Sequence, residues 1–367
     1  MNKKYDIFIV TGGTGGHIFP ALSFSDSLNT NNIKNLIITD QRGIKYFNAN
    51  KYETKKILSS HLDKNFFKKI IAFLYLITGF IQFTILFIKQ RPKYIITFGS
   101  YASFSAILCS VLFKRIFSTK LYFHEQNSII GKVHKLFLFS AEYIFTTYPE
   151  TIGINKKYEH KILYTGIPLR REIKKFQEKK VKTINKMNKI NILIFGGSQG
   201  SSNLSKLMIN LLFKLTNNYQ NQISLIIQSP QKDLKVIASQ LNKTNIEYKI
   251  SDFFEDIFLQ ISRADLCICR SGSLTVNELI ALSAPSILVP LPTSSHNHQY
   301  YNARFLSDKK GSIIIEEKDL MNDKTLKILE NILLNPNTLN SMISNLNKMK
   351  KMDPNPVIKK IIFKNVN

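Results

Sequence analysis

The chain has 367 residues, of which 44% are hydrophobic, and it carries 51 lysines and arginines against 25 aspartates and glutamates. This length suffices for two domains with separate cores, and the apolar content is typical of a globular protein rather than a disordered one. The formal charge of +26 favours anionic partners, such as nucleic acid, acidic phospholipid or a polyphosphate substrate, although a general bias towards lysine would produce the same excess.

The first elements along the chain are a strand, a glycine-rich loop and a helix. Apolar residues 7–10 predict a buried strand, and the loop at 11–17, TGGTGGH, follows directly. A helix that begins after such a loop presents backbone N–H groups and a partial positive charge to an anion. Glycine lets the backbone approach the ligand closely. The loop therefore predicts a phosphate site. We expect no secretory signal, because the strand pattern already begins at Tyr5.

A long apolar run at 70–88 lies between basic residues at 64, 68, 69, 89 and 91. By length it could cross a bilayer. It also lies where an α/β domain needs a crossover helix, and the strand predicted at 94–98 begins soon after. Spanning would put consecutive strands of one sheet on opposite sides of a membrane. We therefore favour a helix that docks on an anionic membrane surface, ahead of a buried helix and of a transmembrane helix.

Strand and helix patterns alternate in both halves, which is typical of doubly wound parallel sheets. Strands in the first half are predicted at 35–40, 94–98, 120–124, 143–147 and 163–166. Strands in the second half are predicted at 191–195, 223–228, 247–250, 265–269, 286–290 and 312–315. We expect one domain at 1–166, a lysine-rich linker at 171–189 within a second domain at 167–340, and a tail at 341–367. The tail would either pack on the first domain as a helix or fray.

A second glycine-rich loop, GGSQGS at 196–201, again follows a strand pattern and precedes a helix pattern. Ligands of parallel sheets lie at the carboxyl ends of the strands, so the two loops indicate two phosphate-bearing ligands. A third segment, RSGSLTVNE at 270–278, follows the strand at 265–269. Its small residues can supply donors to a phosphate, and Glu278 can accept both hydroxyls of a ribose. Thr275 and Glu278 also fit a capping box, which needs no ligand.

Two other kinds of site fit less well. The dinucleotide fingerprint G-x-G-x-x-G is not matched, because Ile18 stands where its third glycine is required. Asp40 ends the second strand, as does the acid that holds a ribose in such proteins, but without the fingerprint this match is superficial. The three cysteines, Cys109, Cys267 and Cys269, lack metal-ligand partners at suitable spacing. We expect them to be reduced residues of a cytosolic protein, with the last two on one face of a strand.

Seven segments spread along the chain carry specific motifs. They read TGGTGGHIFPAL (11–22), HEQNSIIGKVHK (124–135), TGIPLR (165–170), GGSQGSSNLS (196–205), RSGSLTVNEL (270–279), APSILVPLP (284–292) and HNHQYYNA (296–303). Taken together, they resemble the bacterial MurG family, the UDP-N-acetylglucosamine:lipid I N-acetylglucosaminyltransferases of glycosyltransferase family 28. The resemblance implies a GT-B fold, with two Rossmann-like domains facing one cleft. It also implies inverting transfer of N-acetylglucosamine to the muramyl 4-hydroxyl of lipid I, giving lipid II and UDP in peptidoglycan synthesis.

The resemblance also implies which residues bind the substrates. Glu278 would hold the ribose, and Phe254 would lie beside the uracil. The diphosphate would be contacted by Arg170, Ser198 and Thr275, within a donor-binding run that includes Ser273, Leu274, Val276 and Asn277. Asn127 and Gln299 would contact the N-acetylglucosamine, and the acceptor would lie near Thr14, Gly15 and Gly16. The chain departs from common family residues at Ser100, Ile167, Phe254 and Ser273, where Gly, Asn, Ile and Ala are usual.

An inverting transfer needs a base to take the proton of the incoming hydroxyl. His17 is our first candidate, because it ends a glycine loop at the predicted site; its alternative role is to bind the acceptor or order the loop. His124 and Glu125 are the next candidates, and each could instead be a hydrogen-bonded loop residue. We expect no required cofactor, since Arg170 and two helix N-termini can stabilise the leaving UDP, and a divalent cation would be non-essential.

The expected partners are UDP-N-acetylglucosamine, lipid I, an anionic membrane surface and proteins of cell-wall synthesis, but not nucleic acid. The expected location is the cytoplasmic face of the inner membrane, with the protein bound peripherally. Two alternatives remain open at this point. One is a GT-B lipid glycosyltransferase that makes a glycosyl-diacylglycerol. The other is a basic membrane- or nucleic-acid-binding protein that keeps only the fold.

Overall fold

The computed structural model describes residues 5–60, 66–177, 183–184, 189–197, 200–215, 217–350 and 352–364. The chain divides into two compact units. The first comprises Met1–Arg170 and Met352–Asn367, and the second comprises Arg171–Lys351. Arg170 therefore ends the first unit, and the C-terminal segment belongs to that unit as well.

The first unit contains a seven-stranded sheet in which every neighbouring pair is parallel. Its strands are β1 (Ile7–Val10), β2 (Asn35–Thr39), β3 (Thr54–Lys56), β4 (Tyr94–Thr97), β5 (Lys120–Glu125), β6 (Tyr143–Thr146) and β7 (Ile162–Tyr164). The spatial order is β3-β2-β1-β4-β5-β6-β7. The edge strand β3 was not predicted, because its sequence, TKK, has no apolar pattern. The other strands were predicted within a few residues of their observed ends.

In the described part of this unit, five helices accompany the sheet: α1 (Gly15–Asn29), α2 (Phe66–Gln90), α3 (Ala102–Leu112), the short α4 (Lys132–Leu136) and a C-terminal helix (Asn355–Phe363). The C-terminal helix packs on α1. Its Ile358 and Ile362 are buried in the same apolar cluster as Phe24. Asn355 Nδ2 donates a hydrogen bond to Ser23 Oγ over 3.2 Å. Of the two alternatives predicted for the tail, the structure therefore shows the packed helix.

Helix α2 buries only one of its faces. Phe83 and Phe87 lie in the core beside Phe8, and a Cβ on Gly79 would collide with the carbonyl of Leu58. The opposite face exposes the apolar side chains of Ile70, Ile71, Phe73, Leu74, Tyr75, Ile77, Ile81, Ile85 and Ile88. Complete burial, one of the predicted alternatives, is therefore wrong. Among the described helices, its Lys69–Gln90 part is the only candidate for a membrane span by length and composition, a test that core helices also pass.

The second unit contains a six-stranded parallel sheet in the order β10-β9-β8-β11-β12-β13. Its strands are β8 (Ile190–Phe195), β9 (Ile223–Gln228), β10 (Glu247–Ser251), β11 (Leu266–Cys269), β12 (Ser286–Leu288) and β13 (Ser312–Ile314). Cys267 and Cys269 are buried together in one core cluster of this unit. The prediction that they are core residues on one strand face is confirmed.

The helices of the second unit are α5 (Arg171–Gln177), α6 (Ser202–Phe213), α7 (Asn217–Gln220), α8 (Leu234–Leu241), α9 (Ile257–Arg263), α10 (Ser273–Leu282), α11 (His298–Ser307), α12 (Asp323–Leu334) and α13 (Asn337–Met349); the C-terminal helix of the first unit is α14. Helix α5 corrects the predicted linker, because Ile173 is buried and Phe176 packs against Phe258. Most of the remaining linker lies outside the described residues. The boundary predicted at 340 falls inside α13.

Candidate active site

The first glycine loop is anchored by a buried carboxylate at the end of β2. Both oxygens of Asp40 lie near the Gly13 N–H, at 3.0 and 3.1 Å, and one accepts the Gly43 N–H at 2.8 Å. The other is paired with the Arg42 guanidinium at 2.9 Å. A Cβ on Gly12 would come within 2.9 Å of this carboxylate, so the close approach requires glycine. Asp40 therefore orders the loop, which explains its presence without a bound ribose.

His17 lies in the first turn of α1 and reaches the end of β5. Its Nδ1 is 2.7 Å from Gln126 Oε1. Gly99 lies just after β4, the strand between β1 and β5. It has a φ of +76°, and a Cβ there would come within 3.2 Å of the His17 ring. Thr11 Oγ1 donates to the His17 carbonyl at 3.0 Å. The His17 side chain is thus half-buried, and its Nδ1 is hydrogen-bonded to Gln126.

His124 is fully buried at the end of β5. Its ring stacks on Phe98 with centroids 5.0 Å apart, its Nε2 is 3.1 Å from the Gly166 carbonyl, and its Nδ1 is 3.0 Å from Gln126 Nε2. Burial lowers the pKa of His124 to about 4. Since both ring nitrogens have protein partners, this geometry favours the loop-ordering role of His124 over that of a base.

Glu125 is buried, with only 2% of its surface exposed, and it is hydrogen-bonded to nearby loop residues. Its oxygens accept the Gly131 N–H at 2.9 Å and the Asn127 N–H at 3.2 Å, and Oε2 lies 3.1 Å from His134 Nδ1. Burial alone would raise the pKa of Glu125, but hydrogen bonds from His134 and these amides hold it below its ordinary value. A buried carboxylate of low pKa is a poor proton acceptor, so Glu125 also fits the loop-ordering alternative.

The other predicted residues of the first unit lie around this edge. Thr14 is exposed just before α1, Gly15 is buried, Gly16 is partly exposed, and Asn127 is half-buried after β5. Because β1 and β5 are separated only by β4 in the sheet, their carboxyl ends bring Thr14, His17 and Asn127 to one edge. Arg170 lies with its Cζ 3.8 Å from the centroid of the Phe19 ring.

The second glycine loop uses glycine for its backbone shape. Gly197 and Gly200 have φ values of +85° and +68°, and a Cβ on Gly196 would collide with Ser201. Ser201 caps α6, with its Oγ accepting the Leu204 N–H at 3.3 Å. Ser198, predicted to contact the diphosphate, lies outside the described residues.

Arg270 connects this loop to the carboxyl ends of the neighbouring strands. Only 5% of its surface is exposed. Its Nη2 donates to Ser201 Oγ at 3.2 Å and pairs with Glu317. Its Nη1 lies 3.3 Å from the carbonyls of Val289 and Pro290, which follow β12. The motif that contains Arg270 was noted in the sequence, but its role in holding β8, β11 and β12 together at their ends was not predicted.

Helix α10 carries most of the predicted donor-binding residues. It begins at Ser273 after Gly272, and no side chain caps it. The capping box proposed as an alternative for Thr275 and Glu278 is therefore wrong, because both residues lie inside the helix. Glu278 is 3% exposed. The remaining predicted residues are Leu274, which is buried, Val276, whose side chain lies in the core, and Asn277, which donates to the Ser273 carbonyl at 2.8 Å.

Gln299 lies in the first turn of α11, next to the start of α10. Its Oε1 accepts the Leu291 N–H at 3.0 Å, and its carbonyl accepts Ser271 Oγ at 2.8 Å. Asn302 Nδ2 donates to the Ser271 carbonyl at 3.2 Å. With its oxygen engaged, Gln299 would contact a sugar through its NH₂ group. Phe254 lies half-buried beyond β10, at the same carboxyl edge of the sheet.

In the described parts of both units, no group of three or more His, Cys, Asp or Glu side chains is placed to hold a metal ion.

The comparisons with known proteins agree over both units. Residues 7–146 match the glycosyltransferase family 28 N-terminal domain, and residues 191–355 match the family 28 C-terminal domain. A relative from Rickettsia akari (strain Hartford) is 32% identical over 369 residues, and one from Wolbachia sp. subsp. Drosophila simulans (strain wRi) is 30% identical over 346 residues. In each case 94% of both chains is covered. Both relatives are named UDP-N-acetylglucosamine–N-acetylmuramyl-(pentapeptide) pyrophosphoryl-undecaprenol N-acetylglucosamine transferase.

A solved structure has the same fold. MurG of Acinetobacter baumannii superimposes with a TM-score of 0.75 at 22% identity, covering 98% of this chain and 99% of that one. The GT-B fold predicted from the motifs is therefore confirmed.

Proposed function

Because the chain belongs to glycosyltransferase family 28, and within it to the N-acetylmuramyl-(pentapeptide) pyrophosphoryl-undecaprenol N-acetylglucosamine transferases, we propose that it catalyses their reaction. N-acetylglucosamine would pass from UDP-N-acetylglucosamine to lipid I, giving lipid II and UDP. The observation that carries the proposal is the match of relatives with this name over 94% of the chain. The same match disfavours a glycosyl-diacylglycerol synthase and a protein that lacks activity.

In the proposed reaction the second unit binds the donor. The N-terminus of α6 follows the second glycine loop, and that of α10 follows Ser271 and Gly272. Each supplies positive potential for a diphosphate. Glu278 would accept the ribose hydroxyls, and the NH₂ group of Gln299 would donate to the sugar. A Cβ on Gly272 would meet no atom within 4 Å, so there is room beside the start of α10 for a ligand.

The first unit would supply the acceptor site and the base. The muramyl 4-hydroxyl would give its proton to His17 as its oxygen attacks the anomeric carbon from the face opposite UDP. The bond between that carbon and the diphosphate oxygen would break, and the electron pair would leave with UDP. This accounts for inversion in a single displacement.

We propose further that the transfer needs no metal ion. Arg170 and the two helix N-termini would provide the positive charge that stabilises the leaving diphosphate. EDTA would then leave the rate unchanged, whereas activity that EDTA abolishes and Mg²⁺ restores would contradict this part of the proposal.

The exposed face of α2 supports a place at the cytoplasmic surface of the inner membrane. This face presents nine large apolar side chains, and Lys69, Lys89 and Arg91 are exposed at its ends. Such a surface suits acidic phospholipid headgroups over an apolar layer. Proteins of cell-wall synthesis would be its neighbours there.

A flotation assay with vesicles rich in phosphatidylglycerol tests the membrane proposal. Replacing both Ile81 and Ile85 by Glu should weaken binding at least about tenfold, through lost apolar burial and added repulsion. Val236→Glu, on an exposed position of α8, is the control and should bind normally. Equal binding by the α2 variant and the control would reject docking through α2.

The reaction itself is tested with purified protein, UDP-N-acetylglucosamine and a short-chain lipid I analogue. We expect UDP release that depends on the acceptor, and a disaccharide product with a β-linkage. Diacylglycerol in place of lipid I is the control acceptor and should give no product. Absence of UDP release under all conditions would reject the proposed function.

A further inference from the structure

Gln126 joins two histidines at the acceptor edge of the first unit, and one of its contacts fixes the orientation of its amide. Gln126 is 1% exposed. Its Nε2 lies 2.8 Å from the carbonyl oxygen of His124. A backbone carbonyl only accepts hydrogen bonds, so the NH₂ group must point there. The amide oxygen must therefore point to His17.

The orientation of the amide determines the tautomer of His17. Gln126 Oε1 lies 2.7 Å from His17 Nδ1, and an amide oxygen can only accept. The His17 Nδ1 must therefore carry the proton. In a neutral imidazole the other nitrogen, Nε2, then has the lone pair that can take a proton.

The other side of the amide is held equally firmly. Gln126 Nε2 also donates to His124 Nδ1 at 3.0 Å, so the His124 proton is on Nε2, which donates to the Gly166 carbonyl at 3.1 Å. Burial keeps His124 neutral near pH 7, since its pKa is lowered to about 4. A protonated His124 could not accept from Gln126, so its neutrality maintains the whole chain of hydrogen bonds.

We propose that Gln126 is a positioning residue that holds His17 as the Nδ1–H tautomer, with Nε2 directed to the acceptor hydroxyl. This inference rests on the proposed function. During transfer the hydroxyl proton passes to Nε2, the glycosidic bond forms, and the electron pair of the broken carbon–oxygen bond leaves with UDP. The resulting imidazolium keeps its Nδ1–H bond to Gln126. A neutral amide orients the ring without the strong rise in basicity that a carboxylate would cause.

The wild-type protein provides the first test. Two-bond ¹H–¹⁵N correlation spectra of protein labelled on histidine distinguish the two neutral tautomers. The chain has seven histidines, and the signals of His17 are those lost in His17→Ala. We expect Nδ1 to be protonated and Nε2 unprotonated near pH 8. The opposite tautomer would overturn the proposal.

The second test is Gln126→Leu, which removes both amide groups at similar volume. We expect kcat to fall about tenfold to hundredfold, with the KM for UDP-N-acetylglucosamine unchanged, and the spectrum of His17 to shift towards the Nε2–H tautomer. In a His17→Ala background the same substitution should have no further effect on kcat, because Gln126 acts through His17. A full additional loss in that background would overturn the proposal.

Gln220→Leu is the matched control in the second unit. Gln220 is also a buried amide, and its Nε2 donates to the Leu215 carbonyl at 2.9 Å. We expect this variant to lose stability but to keep its kcat at a temperature where it is folded.

Two outcomes separate failure of this inference from failure of the proposed function. If the wild-type protein transfers the sugar while His17 is the Nε2–H tautomer, only the role of Gln126 is overturned. An Nδ1–H His17 in a protein that transfers nothing would instead overturn the proposed function.

Discussion

The two glycine loops are similar in sequence, but they are anchored by side chains of opposite charge. The loop of the first unit is held by the Asp40 carboxylate, which occupies the Gly13 N–H. The loop of the second unit is held by the Arg270 guanidinium, which donates to Ser201 Oγ at the end of the loop. A carboxylate beneath a loop disfavours a nearby anion, and a guanidinium favours it, although each is paired with a counter-ion. We therefore expect the second loop to be the better diphosphate site, and the first to suit a hydroxyl and its base.

Removing the proposed base should give the largest difference between the roles of the two loops. We expect His17→Ala to lower kcat by about 10² to 10⁴-fold, because general base catalysis is lost. The Kd of UDP should not change, since UDP is proposed to bind the second unit. Steady-state kinetics and calorimetry measure the two quantities. Near-normal turnover would exclude His17 as the base. Glu278→Ala is the complementary variant and should weaken UDP binding.

Replacing each loop anchor, Asp40 or Arg270, by alanine tests directly whether the two loops have different roles. Both Asp40→Ala and Arg270→Ala should lower the free energy of unfolding by about 3 kcal/mol, because each leaves buried partners unsatisfied. Only Arg270→Ala should weaken UDP binding, and only Asp40→Ala should raise the KM for the lipid I analogue. Urea unfolding, calorimetry and kinetics check these effects. An equal loss of UDP affinity in both variants would contradict the division of roles.

Acid should destabilise the first unit through His124 and Glu125. In the folded state the pKa of His124 is lowered to about 4 from its usual 6.5, so the unfolded chain binds the proton first as pH falls. Stability is complete above about pH 6.5 and declines towards pH 4, by up to about 3 kcal/mol. The lowered pKa of Glu125 extends the decline below 4.5.

Urea unfolding between pH 7.5 and 4, with a fluorescent probe in each unit, measures this dependence. His124→Gln should flatten the slope between pH 6.5 and 4 for the first unit. A slope that is unchanged in this variant would show that another group titrates there.

The smallest expected effect is on the free energy of unfolding, from residues in or beside the loops whose φ is positive. Ser100, after β4, has a φ of +72°, whereas the described residues of the second loop with positive φ, Gly197 and Gly200, are glycines. Ser100→Gly should therefore raise the free energy of unfolding by about 1 kcal/mol. Gly197→Ala is the opposite control and should lower it by about the same amount, since an added Cβ there meets no atom within 4 Å. Urea unfolding measures both, and a change of the same sign would contradict this account.

The regular parts of this molecule were predictable because buried parallel strands are short apolar runs with strong turn signals. The exceptions have physical reasons: β3 is a polar edge strand, and α5 has only a few apolar residues. The location of His17 beside the first glycine loop was predictable from the sequence. The partner of its ring was not, because Gln126 lies 109 residues away and only the order of β1, β4 and β5 brings the two together. Arg270 was recognisable as a motif residue, and Asp40 only as a superficial match to the ribose-binding acid. The contacts of both depend on the sheet.

The packing of α14 on α1 makes the second unit an insertion within the first. A ribosome must therefore synthesise Arg171–Lys351 before the helix that supports α1 exists. Until then, the helix that carries His17 lacks Ile358 and Ile362 over its apolar surface, and the nascent chain exposes that surface. We accordingly expect premature stops near residue 350 to leave the second unit largely intact and yet to destabilise the first. A linear order of two domains would not produce this outcome.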